Sequence, residues 1–557
     1  FWLKPFAPLP WGRSAAARRW GAASPPCRMA LAISACRRHG GAAAALQRQL
    51  LRAGDASELL AVLRESTRDP PPLWPSKCVA TAWHRLARHS KLQAEPCTLR
   101  AAISLLAVSL RGRAFGDFTP RQLANIVHSW GILTFDDRIL LQDGFTSLRD
   151  RLDECNAQDV TTALCALGRL GLRDEALARA ACARLAEQPR DFKPAEAAAS
   201  LHALARLRLR NERGLDAACR AVRTHAGGLG ALDSAAAVHA LGLLAHRDDE
   251  LLRSVCGAAL KRRGDLGPRA VANLVYSLGV LGFRAEALLQ AACERAARGL
   301  VAFRAQEVSN LLHGLGLLAF RSERLLQVAC AEVPSRLGEF TAQNLSNTIY
   351  ALARLEYRDE AFLRPAYAHA LDRLSEFSAQ GLSNLVYAMS MLQFQDSRFL
   401  QTLLDHGCAR LPDFGSQELA NTVYALARLS FRCEEFLQGA CDQAAARLSS
   451  FNAQEICNTV YALGQLGFMH QGFLASLMME LPERLGEFQA HNIANLAYAV
   501  LAEWGHSDAA FLQALRAHVP SRLQELNAFG LSSVAYALAA LHLDGRLRAG
   551  ASTARAG

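Results

Sequence analysis

The chain has 557 residues, 51% of them hydrophobic, and a formal net charge of +11. No stretch of about 18 uninterrupted apolar residues occurs, which argues against a bilayer-spanning helix, and no run alternates with period two as a half-buried strand would. The charge is lopsided: residues 1–54 contain no Asp or Glu and hold nine of the eleven net positive charges, so the other 503 residues carry only +2.

In chain order, the first segment is that leader, residues 1–54, with Lys4, Arg13, Arg18, Arg19, Arg28, Arg37, Arg38, Arg48 and Arg52. Its acid-free, Ala- and Ser-containing composition is that of an organelle transit peptide, expected to be disordered. The competing readings are an unstructured basic tail and an arm that adds phosphate contacts. The sequence opens on Phe1 rather than Met, so further residues are expected upstream.

Residues 55–117 read as a divergent N-terminal helical repeat or cap. Beyond the Pro70-Pro71-Pro72 break, Trp74 to Ala87 runs WPSKCVATAWHRLA. There Val79, Trp83 and Leu86 take the places that Leu345, Ile349 and Leu352 hold in the main repeat.

That repeat fills residues 118–543. The stretch beginning FTAQNLSNTIYALARL at Phe340 returns as FSAQGLSNLVYAMSML from Phe377, FGSQELANTVYALARL from Phe414 and FNAQEICNTVYALGQL from Phe451. Copies start at 118, 155, 192, 229, 266, 303, 340, 377, 414, 451, 488 and 526; ten of the eleven intervals are 37 residues, and the last is 38 through one extra residue near Trp504. A fixed period of this length marks a repeat array.

Each unit reads as two helices. Leu345, Ile349, Leu352 and Leu355 form the apolar stripe of the first, and Phe362, Leu363, Ala366, Tyr367, Ala370, Leu371 and Leu374 that of the second. Asp359 is placed to cap the second helix. Pro334, Pro482 and Pro520 are expected to break their second helices into a short third piece. Neither stripe can be buried without a neighbouring unit. The expected fold is therefore an all-α solenoid of about 12–13 two-helix repeats forming one elongated body, followed by a disordered or truncated tail over 544–557.

Fifteen cysteines invite a metal or disulfide reading. Cys182, Cys219, Cys256, Cys293 and Cys330 stand 37 apart, and Cys441 holds the same place in its own unit. One repeated position taken by a soft apolar side chain is a core position, so reduced thiols, no metal and no cofactor are expected. His128, His202, His239 and His313 share a place with Tyr276, Tyr350, Tyr387, Tyr424, Tyr461, Tyr498 and Tyr536. That place asks for an aromatic with a polar tip rather than a base. No GxxxxGK[ST], HExxH or GxSxG occurs, so neither an enzyme nor a small-molecule substrate is indicated.

Opposite the apolar stripe runs a polar one: Gln343, Asn347, Tyr350 and Arg354, on one helix face. Its counterparts are Gln306, Asn310 and His313; Gln380, Asn384 and Tyr387; Gln417, Asn421, Tyr424 and Arg428; and Gln454, Asn458, Tyr461 and Gln465. The Asn occurs in eight of the twelve units. In one reading the amide bonds an adjacent repeat; in the other the stripes line a groove where amides meet base edges and aromatics meet bases. Near-identical residues cannot encode a sequence, so discrimination falls to Asn344, Gly381, Glu418, Glu455 and Asn492. A second row, Arg173, Arg210, Arg247, Arg284, Arg321, Arg358 and Arg432, lies between the two helices. It could track phosphates, or be neutralised by acids such as Asp174-Glu175, Asp248-Asp249 and Asp359-Glu360.

The phrase F-x-A-Q-x-L-[SA]-N-[TL]-[VI]-Y-A-L-A-x-L resembles the first helix of octotricopeptide and heptatricopeptide repeat proteins, relatives of the FAST-kinase-domain proteins. The resemblance covers about residues 74–543, and the 37-residue period is closer to the heptatricopeptide form. It implies a non-catalytic RNA-binding solenoid of the mitochondrial matrix or chloroplast stroma, acting in RNA processing, stability, splicing or translation. The implied partners are single-stranded organellar RNA and other RNA-processing or ribosomal proteins. The RAP domain that ends many members is not expected here, because too few residues follow Leu543. The family often has Trp where this chain has Tyr350 and Tyr387. The alternative reading is an armadillo-like protein–protein scaffold, in which a row of Asn side chains holds a peptide backbone.

Overall fold

A computed structural model describes residues 40–66, 74–90, 95–111, 113–208, 212–537 and 539. Most of the leader (1–39), Pro70-Pro71-Pro72, Arg210 and the 544–557 tail lie outside them. Among the described residues there are helices and no strands. The helices fall into two compact units, Phe1–Leu288 and Leu289–Gly557, and the fold is an all-α solenoid of helical repeats.

The first unit holds α1 (Gly40–Arg52), α2 (Ala56–Glu65), α3 (Ser76–His89), α4 (Pro96–Leu110), α5 (Pro120–Leu133), α6 (Arg138–Asp150), α7 (Ala157–Leu170), α8 (Glu175–Glu187), α9 (Pro194–Leu207), α10 (Glu212–Thr224), α11 (Ala231–Leu244), α12 (Asp249–Lys261) and α13 (Pro268–Leu281). The unit boundary falls within α14 (Glu286–Arg298). The second holds α15 (Ala305–Leu317), α16 (Glu323–Glu332), α17 (Ala342–Arg354), α18 (Glu360–Leu371), α19 (Ala379–Leu392), α20 (Ser397–Cys408), α21 (Ser416–Arg428), α22 (Glu434–Ala446), α23 (Ala453–Gln465), α24 (Gln471–Arg484), α25 (Ala490–Ala497) and α26 (Ala509–His518). Odd-numbered helices pack on odd-numbered neighbours within each unit, α5 on α7 and α17 on α19 for example; even-numbered ones do the same, as α8 on α10.

Local chemistry explains why each unit breaks where it does. Thr341 and Ser378 cap their helices from the start, accepting from Asn344 N–H at 3.2 Å and Gly381 N–H at 3.2 Å. After each first helix one residue turns left-handed: Thr134, Gly171, Arg208, Ala245, Gly282, Ala319, Glu356, Gln393, Ser430, Gly467 and Gly505 all have φ between 49° and 66°. The next N–H then reaches back five residues, as Tyr357 does to Leu352 at 2.9 Å, closing the helix end. Asp359 caps the second helix as expected, accepting from Phe362 N–H at 3.0 Å, and Asp137, Asp174, Asp248, Asp396 and Asp508 repeat the arrangement.

The structure corrects one reading of the sequence and refines two others. Gly40–Arg52, at the end of the presumed leader, is helix α1. It packs on α3 through Leu50, which is fully buried, while Gln47 Nε2 donates to Thr81 Oγ1 at 2.8 Å. With α2 packed on α4, the array gains a helix pair, and the Ala-rich, acid-free sequence of α1 suits a helix as well as a leader.

The third piece expected at proline forms at Val333–Glu339, which holds Pro334, and at Pro520–Glu525, while Pro482 stands inside α24. Proline is not required for it: a 3₁₀ turn also follows at Leu374–Glu376 and Leu448–Ser450 with none. The turn forms because a buried Leu and the following Phe close on each other, Phe377 N–H donating to Leu374 O at 3.1 Å. Finally, the extra residue near Trp504 is taken up as a π-helical turn, Tyr498–Glu503, where Trp504 N–H bonds Ala499 O at 3.0 Å.

The first helices approach one another through small residues. A Cβ on Gly131 would stand 3.0 Å from Ala166 Cα, one on Gly168 3.1 Å from Ala203 O, one on Gly316 3.3 Å from Ala351 Cα and one on Gly464 3.1 Å from Ala499 Cβ. The same place is Ala205, Ala353, Ser390 or Ala427 elsewhere. That approach brings rings from successive repeats together: His202 and His239 have centroids 5.8 Å apart, His313 and Tyr350 6.1 Å, and Tyr350 and Tyr387 6.0 Å. Burial lowers the pKa of His313 to about 4, with help from the Arg354 charge, and that of His239 to about 4, aided by His202 and Arg269.

Two outcomes follow from this packing. Gly316→Ala is expected to unfold in urea within about 1 kcal/mol of the natural chain, since Ala serves at the same place elsewhere, while Gly316→Val costs about 1–3 kcal/mol by overpacking. The folded chain keeps His313 neutral down to about pH 4, whereas an unfolded His protonates near 6.5. Its contribution is therefore full above pH 6.5 and lost as the pH falls toward 4, about 2 kcal/mol of it by pH 5. Thermal melts at pH 7 and pH 5 should show this loss, and His313→Tyr should reduce it.

Candidate nucleic-acid interface

The expected site residues all lie in the second unit, on α15, α17, α19, α21 and α23. Because those helices pack in sequence with a constant turn between them, equivalent residues form rows rather than a pocket. Gln306, Gln343 and Gln380 are exposed; Gln417 and Gln454 are half-buried. Asn310, Asn347, Asn384 and Asn421 are half-buried, while Asn458 is buried at 8% exposure. Tyr350, Tyr387, Tyr424 and Tyr461 present one half-buried edge each, Arg354 is half-buried and Arg428 exposed.

The geometry divides the two readings of this stripe by repeat. In the unit starting at Phe451 the amides bond one another: Gln454 Nε2 donates to Asn458 Oδ1 at 2.8 Å, and Asn492 Nδ2 of the next repeat donates to Gln454 Oε1 at 3.0 Å. There the stripe supports the stack. By contrast Asn421 Oδ1 and Arg354 Nε are buried with no protein hydrogen-bond partner, although such groups are normally satisfied.

The aromatic row constrains any ligand. Tyr350 and Tyr387 are tilted 39° to one another at 6.0 Å, closer than the roughly 7 Å that a base inserted between two rings requires. The tyrosines therefore offer their outer edges and hydroxyls, not slots. At Tyr461 the hydroxyl accepts from Gln465 Nε2 at 2.8 Å. Burial raises the phenol pKa of Tyr350 and Tyr387, so these tips stay neutral donors.

Three of the five positions expected to discriminate are withdrawn from that surface, while Asn344 and Glu418 are half-buried. Glu455 (5% exposed), Asn492 (2%) and Gly381 are buried. Glu455 caps its own helix start through Asn452 N–H, and the carbonyls of this position accept from the preceding repeat: Ser309 Oγ to Asn344 O at 3.0 Å, Ser383 Oγ to Glu418 O at 3.1 Å.

The turn arginines are engaged already. Arg247, Arg284, Arg321, Arg358 and Arg432 pair with the acid two residues on, at 2.5–2.7 Å. Four of them also donate to carbonyls at the end of the next first helix, as Arg321 does to Leu355 O (3.2 Å) and Glu356 O (3.1 Å). A cation at a helix C-terminus is favourable, and of the two readings the local one describes these residues. Arg173 is exposed, and Arg210 lies outside the described residues.

A second arginine row escaped the sequence reading. Arg336 donates to Phe303 O at 2.8 Å, Arg373 to Phe340 O at 2.9 Å, Arg410 to Phe377 O at 2.6 Å and Arg484 to Phe451 O at 2.7 Å. Each also pairs with an acid three residues on, as Arg373 does with Glu376. The signal was present as the phrase R-L-x-[ED]-F ending at Phe340, Phe377, Phe414 and Phe488.

The cysteine and histidine rows are structural. Burial raises the pKa of Cys182 to about 11 and those of Cys219, Cys256, Cys293, Cys330 and Cys441 to about 12. Among the described residues no group of three or more His, Cys, Asp or Glu could hold a metal ion, and no helix is long and apolar enough to cross a membrane.

No curated protein matches the chain. Among solved structures, one described as a "Homology model of the full-length AP-3 complex in an intermediate open conformation" aligns over 87% of this chain and 94% of its own, at 11% identity. Its TM-score is 0.25. A family comparison reaches further: residues 85–324, 325–432 and 402–509 match the RNA-editing substrate-binding complex 6 protein. With most of the repeats covered by that match, the chain belongs to the family of RNA-editing substrate-binding complex 6 proteins.

Proposed function

We propose that the chain binds single-stranded RNA along the first-helix face of its second unit, without catalysis, as a component of RNA processing. The observation that carries this is the row of amides and tyrosine edges on α15, α17, α19, α21 and α23. Family membership supports the substrate class. Neutral donors and acceptors that cannot admit an inserted base suit edge contacts to an extended strand. The kinship to octotricopeptide, heptatricopeptide and FAST-kinase-domain proteins, and a mitochondrial or chloroplast setting reached through the basic leader, belong to the same proposal.

A second reading, the armadillo-like scaffold, is favoured by one observation: the two arginine rows are neutralised by neighbouring acids. Complexes recovered with the full chain before and after ribonuclease separate the two, since a scaffold's partners persist when RNA is destroyed.

Filter binding of the full chain to single-stranded RNA should give affinity tighter than the non-specific range of about 10⁻⁴–10⁻⁶ M. Replacing exposed Gln306, Gln343 and Gln380 together by Ala should weaken it by about 2 kcal/mol, roughly thirtyfold, at unchanged stability. Wild-type affinity no tighter than that range would overturn the RNA reading. A reporter carrying residues 1–54 that stays in the cytosol would overturn the organelle reading.

A further inference from the structure

The first unit carries charge that the site above does not use. On α7, α9 and α13, Arg169, Arg206 and Arg269 are exposed, and none is in an ion pair with any described residue. This sets them apart from the arginines in the turns. Arg169 and Arg206 hold the repeat place that Arg354 and Arg428 hold in the second unit, at the end of the polar stripe. Arg269 holds the place of Gln343.

All three lie within electrostatic reach of His202. The charged groups acting on His202 are Arg206, Arg269 and Arg169, and those acting on Cys165, its counterpart one repeat earlier, are Arg169 and Arg206. His239 feels His202 and Arg269. No carboxylate is among them. The two imidazole rings lie 5.8 Å apart, tilted by 31°, and His239 Nδ1 lies 3.1 Å from Ser277 Oγ. Burial first, and the arginines next, hold His202 below its usual range, so the positive charge here is that of three guanidiniums. Helices α7, α9, α11 and α13 pack in sequence, so the guanidiniums stand on a single first-helix face, around a ring pair that cannot pair with them.

We propose that Arg169, Arg206 and Arg269 form a phosphate-binding patch, set around His202 and His239, that holds the backbone of a single-stranded RNA. The proposal rests on the RNA reading above and deepens it by assigning the electrostatic share of binding to the first unit. Arginine forks match phosphate oxygens in pairs. The 503 residues beyond the leader carry only +2 in all, so a local group of cations without acids beside it is where phosphate would be drawn.

The test is a salt series of RNA binding with the full chain. Each phosphate contact contributes about 0.7 to the slope of log K against log salt for single strands. The triple variant R169Q/R206Q/R269Q should therefore lower the slope by about 2, and R169K/R206K/R269K should keep it. The comparison variant R179Q/R220Q/R253Q removes the same charge from exposed places on second helices α8, α10 and α12, and should leave the slope near that of the natural chain. Circular dichroism confirms that each variant folds. Equal slopes for the two glutamine triples, with RNA still bound, would overturn the patch and leave the RNA reading standing. Failure of the natural chain to bind RNA would overturn both.

Discussion

Everything in this fold follows from how closely the first helices stand. Small residues face small residues at that contact, Gly316 against Ala351 and Gly464 against Ala499. Successive helices can then lie near enough for side chains ten residues into each repeat to touch as rings. The same approach carries hydroxyls onto the neighbouring repeat's carbonyls and lets one arginine serve its own turn and the next helix's end at once. A bulkier contact would separate all of these together, because the same left-handed turn recurs after the first helices and keeps their spacing common.

Charge is arranged with similar economy. The arginines of the turns and of the R-L-x-[ED]-F phrase are tied to carbonyls and to nearby acids, which makes them parts of the frame. Exposed ion pairs of this kind contribute little each; their value lies in capping carbonyls that would otherwise lack partners. On the first helices, the second unit presents amides and phenols with Arg354 and Arg428 among them, and the first unit presents Arg169, Arg206 and Arg269 outside any ion pair with described residues.

Much of this was legible in the sequence, for physical reasons. A 37-residue period repeats the same burial demand, so Leu345, Ile349 and Leu352 announce the first helix, and Asp359 announces the cap of the second. The array's start was obscured because α1 lacks acids, and an Ala-rich helix shares its composition with a targeting segment. The arginine that bonds Phe340 O was missed because its acceptor is a carbonyl 33 residues away, and carbonyls have no sequence identity. Asn344 and Glu455 lie on the expected helix, but position 5 of the repeat turns toward the neighbouring repeat and the helix start, which only the packing angle decides. The π-helical turn at Tyr498–Glu503 was visible as one surplus residue, though not as the form it takes.

The cysteine row makes the chain its own stability gauge. Cys182, Cys219 and Cys256 in the first unit, and Cys330 and Cys441 in the second, sit at one place in their second helices, with thiols that burial makes unreactive. A thiol reagent can reach each only when its own repeat opens. Solenoid repeats are held mainly by their nearest neighbours, so openings are graded along the chain rather than shared by it. The order in which these thiols are modified is thus a map, repeat by repeat, of where the array frays first.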